Sequence, residues 1–211
     1  MPRRADLRLI VITDNRLAEP RGVLDIVRIA VAAGAPAVQL RDKTATAREL
    51  LQQAEALRII TRSHDALLFI NDRLDVALAA QADGVHLGPD DIPLAAARAA
   101  VSDDFLIGVS TDDPEQARQA QGHGADYIGC GAVFGTSSKD VGGEAIGVEQ
   151  LGRVVRAVDI PVVGIGGVDV QNVSQVAATG AAGAAVIGAV MKARDVEAAV
   201  KALLSPFPPQ R

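Results

Sequence analysis

The sequence predicts a single-domain α/β fold, a (β/α)8 TIM barrel, on three observations. Short β-branched runs alternate with longer Ala/Leu-rich stretches of helical period, eight such units can be counted, and the chain is 211 residues long. Alternation of this kind marks repeated β-α units and a parallel sheet. Eight units are what closure needs, and slightly over 200 residues is the lower size range of the barrel. The strands are expected at 7–13 (LRLIVIT), 37–41 (AVQLR), 66–71 (ALLFIN) and 84–88 (GVHLG). The second half supplies 105–110 (FLIGVS), 126–131 (DYIGCG), 161–166 (PVVGIG) and 183–188 (GAAVIG). A helix follows each strand, among them ELLQQAEALRIITR, RLDVALAA, PLAAARAAV, PEQARQAQ, GVEQLGRVVRAV, NVSQVAAT and the closing DVEAAVKALL. No linker interrupts the series, so residues 1–211 read as one domain, with a short flexible tail at about 205–211 (SPFPPQR) that cannot continue a helix. An open doubly wound sheet fits less well. That fold usually opens with a Gly-rich turn after strand one, where this chain has Thr13-Asp14-Asn15-Arg16.

Composition excludes several classes of function. Lys and Arg number 21 against 26 Asp and Glu, a net charge of −5, so no basic face for nucleic acid is implied. Aromatic residues are 2% of the chain, with no Trp, which argues against base stacking. The lone cysteine, Cys130, cannot form an intrachain disulfide or a Cys-based metal cluster, and a reducing cytoplasm is the expected location. The opening MPRRADLRLIVITD is broken at Asp6, Arg8 and Asp14, too soon for a signal-peptide core. Residues 170–191 carry no formal charge but hold Gln171, Asn172, Ser174, Gln175 and Thr179, so they read as helix, turn and buried strand, with no membrane span expected.

In such a barrel the chemistry sits at the C-terminal ends of the strands, where the βα loops converge. Polar residues there are Gln39, Arg41, Asp42 and Lys43 after strand two, and Asn71 and Asp72 after strand three. His86, Asp90 and Asp91 follow on strand four, Ser110 on strand five, and Thr136 to Lys139 beyond strand six. The period of two sends Gln39, Arg41 and Lys43 to one side, and an amide with two cations suits an anion of several oxygens. Rim salt bridges with Asp42 are the plain alternative. Asp72 and Asp91 end adjacent strands, and two unneutralised acids there would suit a hard dication such as Mg²⁺, which takes one or two carboxylates plus substrate oxygens. Taken singly, each acid also reads as a helix N-cap.

Gly164-Ile165-Gly166-Gly167-Val168 closes strand seven, and Ile187-Gly188 ends strand eight, the two places where this fold often binds phosphate. A simple turn also explains the glycine pair. The connection Gly131 to Gly143 is the longest and the richest in Gly, Ser and Thr, and residues 134–143 read as a lid or as a solvated loop. His86 alternates with apolar neighbours and reads more readily as a structural histidine than as a base. His64 and His123 lie near helix ends, where a dipole contact suffices, and Cys130 reads as a small buried hydrophobe.

Together these residues resemble the thiamine-phosphate synthase family over almost the whole chain. The resemblance rests on QLRDK (39–43), INDRLDVALAAQADGVHLGPDD (70–91), IGVS (107–110), YIGCGAVFGTSSK (127–139) and GIGG (164–167). It implies a transferase of thiamine biosynthesis that couples hydroxymethylpyrimidine diphosphate to hydroxyethylthiazole phosphate, releasing diphosphate, with Mg²⁺ as cofactor. It further implies that Gln39 contacts the pyrimidine, that Arg41, Lys43, Asn71 and Lys139 hold the diphosphate, and that Asp72 and Asp91 bind the metal. Ser110 would lie near the pyrimidine. Thr136, Ser138, Gly167, Ile187 and Gly188 would hold the thiazole phosphate, and Ser110, Lys139 and Arg41 would carry the catalysis. Three residues depart from the family pattern: Pro89 stands for a usual glutamine, Ser138 for a threonine and Gly188 for a serine.

A dissociative displacement fits this set, because metal and cations aimed at a departing diphosphate act where charge develops. A held thiazole nitrogen then needs no protein nucleophile, and no covalent intermediate is expected. The other readings are a thiazole tautomerase-like barrel, which has no use for the acids and cations together, and a non-catalytic phosphate-ligand binder. A Schiff base on Lys43 is disfavoured because an amine in an anion site stays protonated. Small-molecule substrates are the expected partners, and a homo-oligomer is left open.

Overall fold

The computed structural model describes residues 5–135 and 145–208. Eight parallel strands close on themselves in sequence order. They are β1 (Leu9–Ile12), β2 (Ala37–Leu40), β3 (Leu67–Asn71), β4 (Gly84–Leu87), β5 (Leu106–Ser110), β6 (Tyr127–Cys130), β7 (Val162–Ile165) and β8 (Gly183–Val186). Closure comes from β1 pairing with β8, with Ile10 opposite Ala185. The expected strands are all present, each trimmed by a residue or more. The helices are α1 (Val23–Ala32), α2 (Ala47–Arg62), α3 (Leu74–Ala79), α4 (Leu94–Ala99), α5 (Pro114–Gly122), α6 (Gly147–Val155), α7 (Val173–Ala178), a short α8 (Gly188–Met191) and α9 (Val196–Leu204). The extra turn α8, between β8 and the last long helix, is not legible in the sequence pattern.

Local chemistry sets several helix starts. Thr46 and Glu49 form a reciprocal capping box on α2, with Thr46 N–H donating to the Glu49 carboxylate at 2.8 Å. Asp113 caps α5 by accepting from Glu115 and Gln116 N–H, with Pro114 at the first helical position. Asp195 accepts from Ala198 N–H at the start of α9. The strands are buried on both faces, as a parallel barrel inside a helical ring requires. Inside the barrel, Phe69 and Tyr127 meet edge to face at 5.5 Å. Gly164 faces the helices instead: a Cβ there would fall 2.8 Å from Val176 and 3.1 Å from Leu151.

Two matching clips hold the N-terminal end of the barrel. Asp83, just before β4, accepts Leu68 N–H at 2.7 Å and is gripped through both oxygens by Arg58 of α2. Asp126, just before β6, accepts Ile107 N–H at 2.7 Å and pairs with Arg98 of α4. Replacing Asp83 by Ala leaves a half-buried guanidinium and a strand N–H without partners. We expect a loss of about 2 kcal/mol in denaturant unfolding, with the rim chemistry unaffected.

The C-terminal tail departs from expectation. The helix stops at Leu204 as the composition demands, but Phe207 is buried and its N–H donates to Leu204 O at 3.0 Å. Burying a phenyl ring outweighs the freedom of a loose end, so the chain stays packed to that point. Residues 209–211 lie outside the described residues. No helix among those described is long and apolar enough to cross a membrane.

Candidate active site

The C-terminal ends of the strands gather a polar rim. Gln39 lies in β2 and is buried, Asn71 ends β3, His86 lies in β4, and Ser110 ends β5. Arg41 and Lys43 follow β2, Asp72 follows β3, and Asp91 follows β4. Registers align Gln39 with Phe69, Asn71 with His86, and Ser110 with Gly129, so these residues belong to one end of the barrel.

Asp72 and Asp91 come together. Burial pushes the Asp72 carboxyl above the usual range, and a side-chain hydrogen bond and like charge from Asp91 push it further. Lys43 and Arg41 act on the same carboxyl in the opposite direction. Two acids and two cations of the expected set therefore share one electrostatic neighbourhood. Neither acid caps a helix: α3 starts behind Arg73 and α4 behind Pro93, and neither start has a side-chain cap. Asp72 instead adopts φ 65°, with its N–H donating to His86 O at 2.9 Å. Asp91 folds back so that its carboxylate accepts Gly88 N–H at 2.6 Å. Pro89 sits second in that turn, where its fixed φ is favoured.

The rim salt bridges foreseen between Asp42 and its basic neighbours are not formed among the described residues. Asp42 accepts from Thr44, Ala45, Asn15 and Gln53. Partial burial works against its ionisation, but these hydrogen bonds hold its carboxyl below the usual range. Arg41 and Lys43 are thereby left to act on something other than Asp42.

Thr13 is a rim residue that the strand-end reasoning passed over. Its buried hydroxyl accepts Arg41 N–H at 2.9 Å and donates to Arg41 O at 3.3 Å, while its own N–H donates to Gln39 O at 2.9 Å. The end of β1 thus fixes the backbone that carries Gln39 and Arg41. The available signal was a hydroxyl at a strand terminus, which is weak.

His86 is held rather than mobile. Its Nε2 lies 2.8 Å from Ser110 Oγ and its Nδ1 3.0 Å from Tyr127 OH. Gly129 makes room for the ring, since a Cβ there would approach Cε1 to 2.8 Å. Burial raises the Tyr127 phenol well above its ordinary value, against a side-chain hydrogen bond with Gln39 that lowers it. The other two histidines lie at helix ends as expected, His123 closing α5 and His64 just past α2. Cys130 is fully buried and its thiol is pushed up to about 12.

At the ends of β7 and β8 the glycine pair has a packing cause of its own. Gly166 and Gly167 have φ of 94° and 65°, and a Cβ on Gly167 would lie 2.6 Å from Gly135 O. The loops after β6 and β7 are laced together by Val133 N–H to Ile165 O and Phe134 N–H to Gly166 O. Ile187 is buried and precedes α8, and Gly188 opens it. Among the described residues, a side chain at Gly188 would meet only Lys192 at 4.0 Å, so the departure there leaves space among them. Thr136, Ser138 and Lys139, with most of the expected lid, lie outside the described residues.

The rim fits a hard dication. Among the described residues no three His, Cys, Asp or Glu side chains form a metal-holding group, but Asp72 and Asp91 supply two mutually repelling oxygen donors. One or two carboxylates completed by substrate oxygens and water is the usual provision for Mg²⁺.

Known proteins place this geometry. A family model described as thiamine monophosphate synthase matches residues 9–190. A thiamine-phosphate synthase from Roseiflexus castenholzii is 49% identical, over 92% of this chain and 85% of its own. One from Ruminiclostridium cellulolyticum is 42% identical over 98% of each. Among solved structures, thiamine phosphate pyrophosphorylase from Pyrococcus furiosus superposes with a TM-score of 0.86, at 45% identity and over 96% of both chains. Barrel, rim chemistry and similarity along nearly the full length agree, and the chain belongs to the thiamine monophosphate synthase family.

Proposed function

We propose that this chain acts as a thiamine-phosphate synthase at the barrel rim, coupling a pyrimidine methyl diphosphate to a thiazole phosphate. The observation that carries the reading is the convergence of Asp72 and Asp91 with Arg41 and Lys43. Acids that repel one another beside two cations have a purpose where a metal-bound diphosphate is the ligand. In this reading Asp72 and Asp91 hold Mg²⁺, which supplies charge neutralisation to the diphosphate when bound. Arg41 binds diphosphate oxygens through its planar fork and Lys43 adds a point charge, with Asn71 and Lys139 completing the set.

The C–O bond between the pyrimidine methylene and the diphosphate breaks heterolytically, and its electron pair leaves with the diphosphate. The electron-rich aminopyrimidine stabilises the cationic methylene. Gln39 and Ser110 orient that ring. The thiazole nitrogen then donates its lone pair to the methylene carbon, forming the C–N bond of thiamine phosphate. Binding next to the nascent cation replaces covalent catalysis. The thiazole phosphate is assigned to Gly167, Ile187 and Gly188 with Thr136 and Ser138, where the short helix α8 adds N–H groups. A reducing cytoplasm suits the lone buried Cys130.

The test is to supply both substrates with and without Mg²⁺ and follow diphosphate and thiamine phosphate. We expect one of each per turnover with Mg²⁺ and none after chelation, with no substrate fragment retained on the protein. Binding of both phosphates without turnover would move the chain to the ligand-binder reading.

A further inference from the structure

Thr13 and Arg41 each stand one residue past the end of adjacent strands, β1 and β2, which pair with Ile12 opposite Gln39. The ladder continues for one more bond, from Thr13 N–H to Gln39 O at 2.9 Å. In a parallel pair the bond after that would run from Arg41 N–H to the Thr13 carbonyl. Here the Thr13 hydroxyl takes that place. Its Oγ1 accepts Arg41 N–H at 2.9 Å and donates to Arg41 O at 3.3 Å. Chemistry fixes both directions, since a backbone N–H only donates and a carbonyl only accepts.

One side chain thus closes on both backbone groups of a single residue. Thr13 is 1% exposed, so water does not compete for its hydroxyl, and its branched Cβ leaves few rotamers open. The flanks are held from the same side. Gln39 is tied through its carbonyl to Thr13 N–H, and the Asp42 carboxylate accepts from Asn15 Nδ2 at 2.8 Å. With both of its backbone groups engaged, Arg41 launches its long side chain along a set Cα–Cβ direction from a base that cannot rotate.

We propose that Thr13 is a positioning residue, whose hydroxyl fixes the Arg41 backbone so that the guanidinium meets the diphosphate at a set distance from the Gln39 amide that meets the ring. The two ends of one substrate are gauged by one residue on the neighbouring strand, and locking of this kind serves only the ligand whose groups it aligns. The thiazole phosphate does not depend on it. The identity of the ligand rests on the synthase reading; the hold on Arg41 does not.

Steady-state kinetics of a double-mutant cycle test it. Thr13→Val keeps the side chain's shape and leaves Arg41 N–H without its acceptor. We expect it to raise KM for the pyrimidine diphosphate about tenfold, the worth of one well-oriented hydrogen bond. KM for the thiazole phosphate should stay within about twofold, the scatter of sites that share no partner. Thr13→Ser keeps the hydroxyl and should restore most of the affinity. In an Arg41→Gln background the added effect of Thr13→Val should shrink to about twofold or less, because the pair acts as one unit. Equal rises for both substrates, an undiminished effect without Arg41, or an unchanged KM in Thr13→Val would each overturn the proposal. If Thr13→Val does not fold, Thr13→Ala replaces it in the cycle. Hydrogen exchange at the Arg41 amide gives a second reading: slow in the wild type and in Thr13→Ser, fast once the hydroxyl is gone. Fast exchange in the wild type would overturn the hold itself. If the wild type turns over neither substrate, the synthase reading fails while the exchange rates still judge what Thr13 does to Arg41.

Discussion

Asp72→Asn is expected to lower Mg²⁺-dependent kcat on the order of 10²–10³-fold, the range seen when one group that stabilises developing charge is removed. Asparagine is the informative substitution because of the backbone. Asp72 sits at φ 65°, in the left-handed region that asparagine tolerates and alanine resists by about 1 kcal/mol. The N–H bond to His86 O survives in either variant, so Asn isolates the loss of charge. The same change has an opposite sign on stability. Burial and the facing Asp91 disfavour the ionised Asp72, so the metal-free Asn variant should unfold at higher temperature than the wild type. Added Mg²⁺ should stabilise the wild type more than the variant. An Asp72→Asn protein with undiminished turnover would remove Asp72 from the metal site.

Gly108→Ala is expected to cost about 3 kcal/mol, lowering the unfolding midpoint by roughly 6–12 °C for a chain of this size. A Cβ at Gly108 would overlap the Tyr127 ring and lie 2.5 Å from its hydroxyl. That ring is fully buried between Phe69 and His86 and has nowhere to retreat. Displacing it also breaks the contact between Tyr127 and His86. Gly122→Ala is the control: it lies in α5 with nothing among the described residues within 4 Å of an added Cβ. It should be neutral or slightly stabilising.

The barrel was legible because each unit repeats one local rule, a β-branched run and then an amphipathic helix. Gln39 was legible for the same reason, since its place near the end of β2 needs only its own strand, whereas Arg41 and Lys43 lie past that end. Asp72 and Asp91 were half legible. Their proximity follows from adjacent strands, but the helix-cap alternative could be dismissed only by seeing where α3 and α4 begin. Tyr127 and His86 were opaque, because 41 residues separate them and only closure of the barrel brings phenol to imidazole. Thr13 was hidden likewise, its partner Arg41 being 28 residues away. Phe207 was misjudged because the surrounding prolines speak for a loose end, while the surface it covers belongs to the whole fold.

The paired arginine–aspartate clips at Asp83 and Asp126 lie beneath the strands, remote from the mouth, and each repeats the other two β-α units further on. Foundation and workshop are thus separate storeys of one building. Substitutions that retarget the mouth toward other ring systems should leave assembly of the polypeptide largely untouched, which makes this chain a serviceable starting point for directed evolution of new C–N bond-forming catalysts.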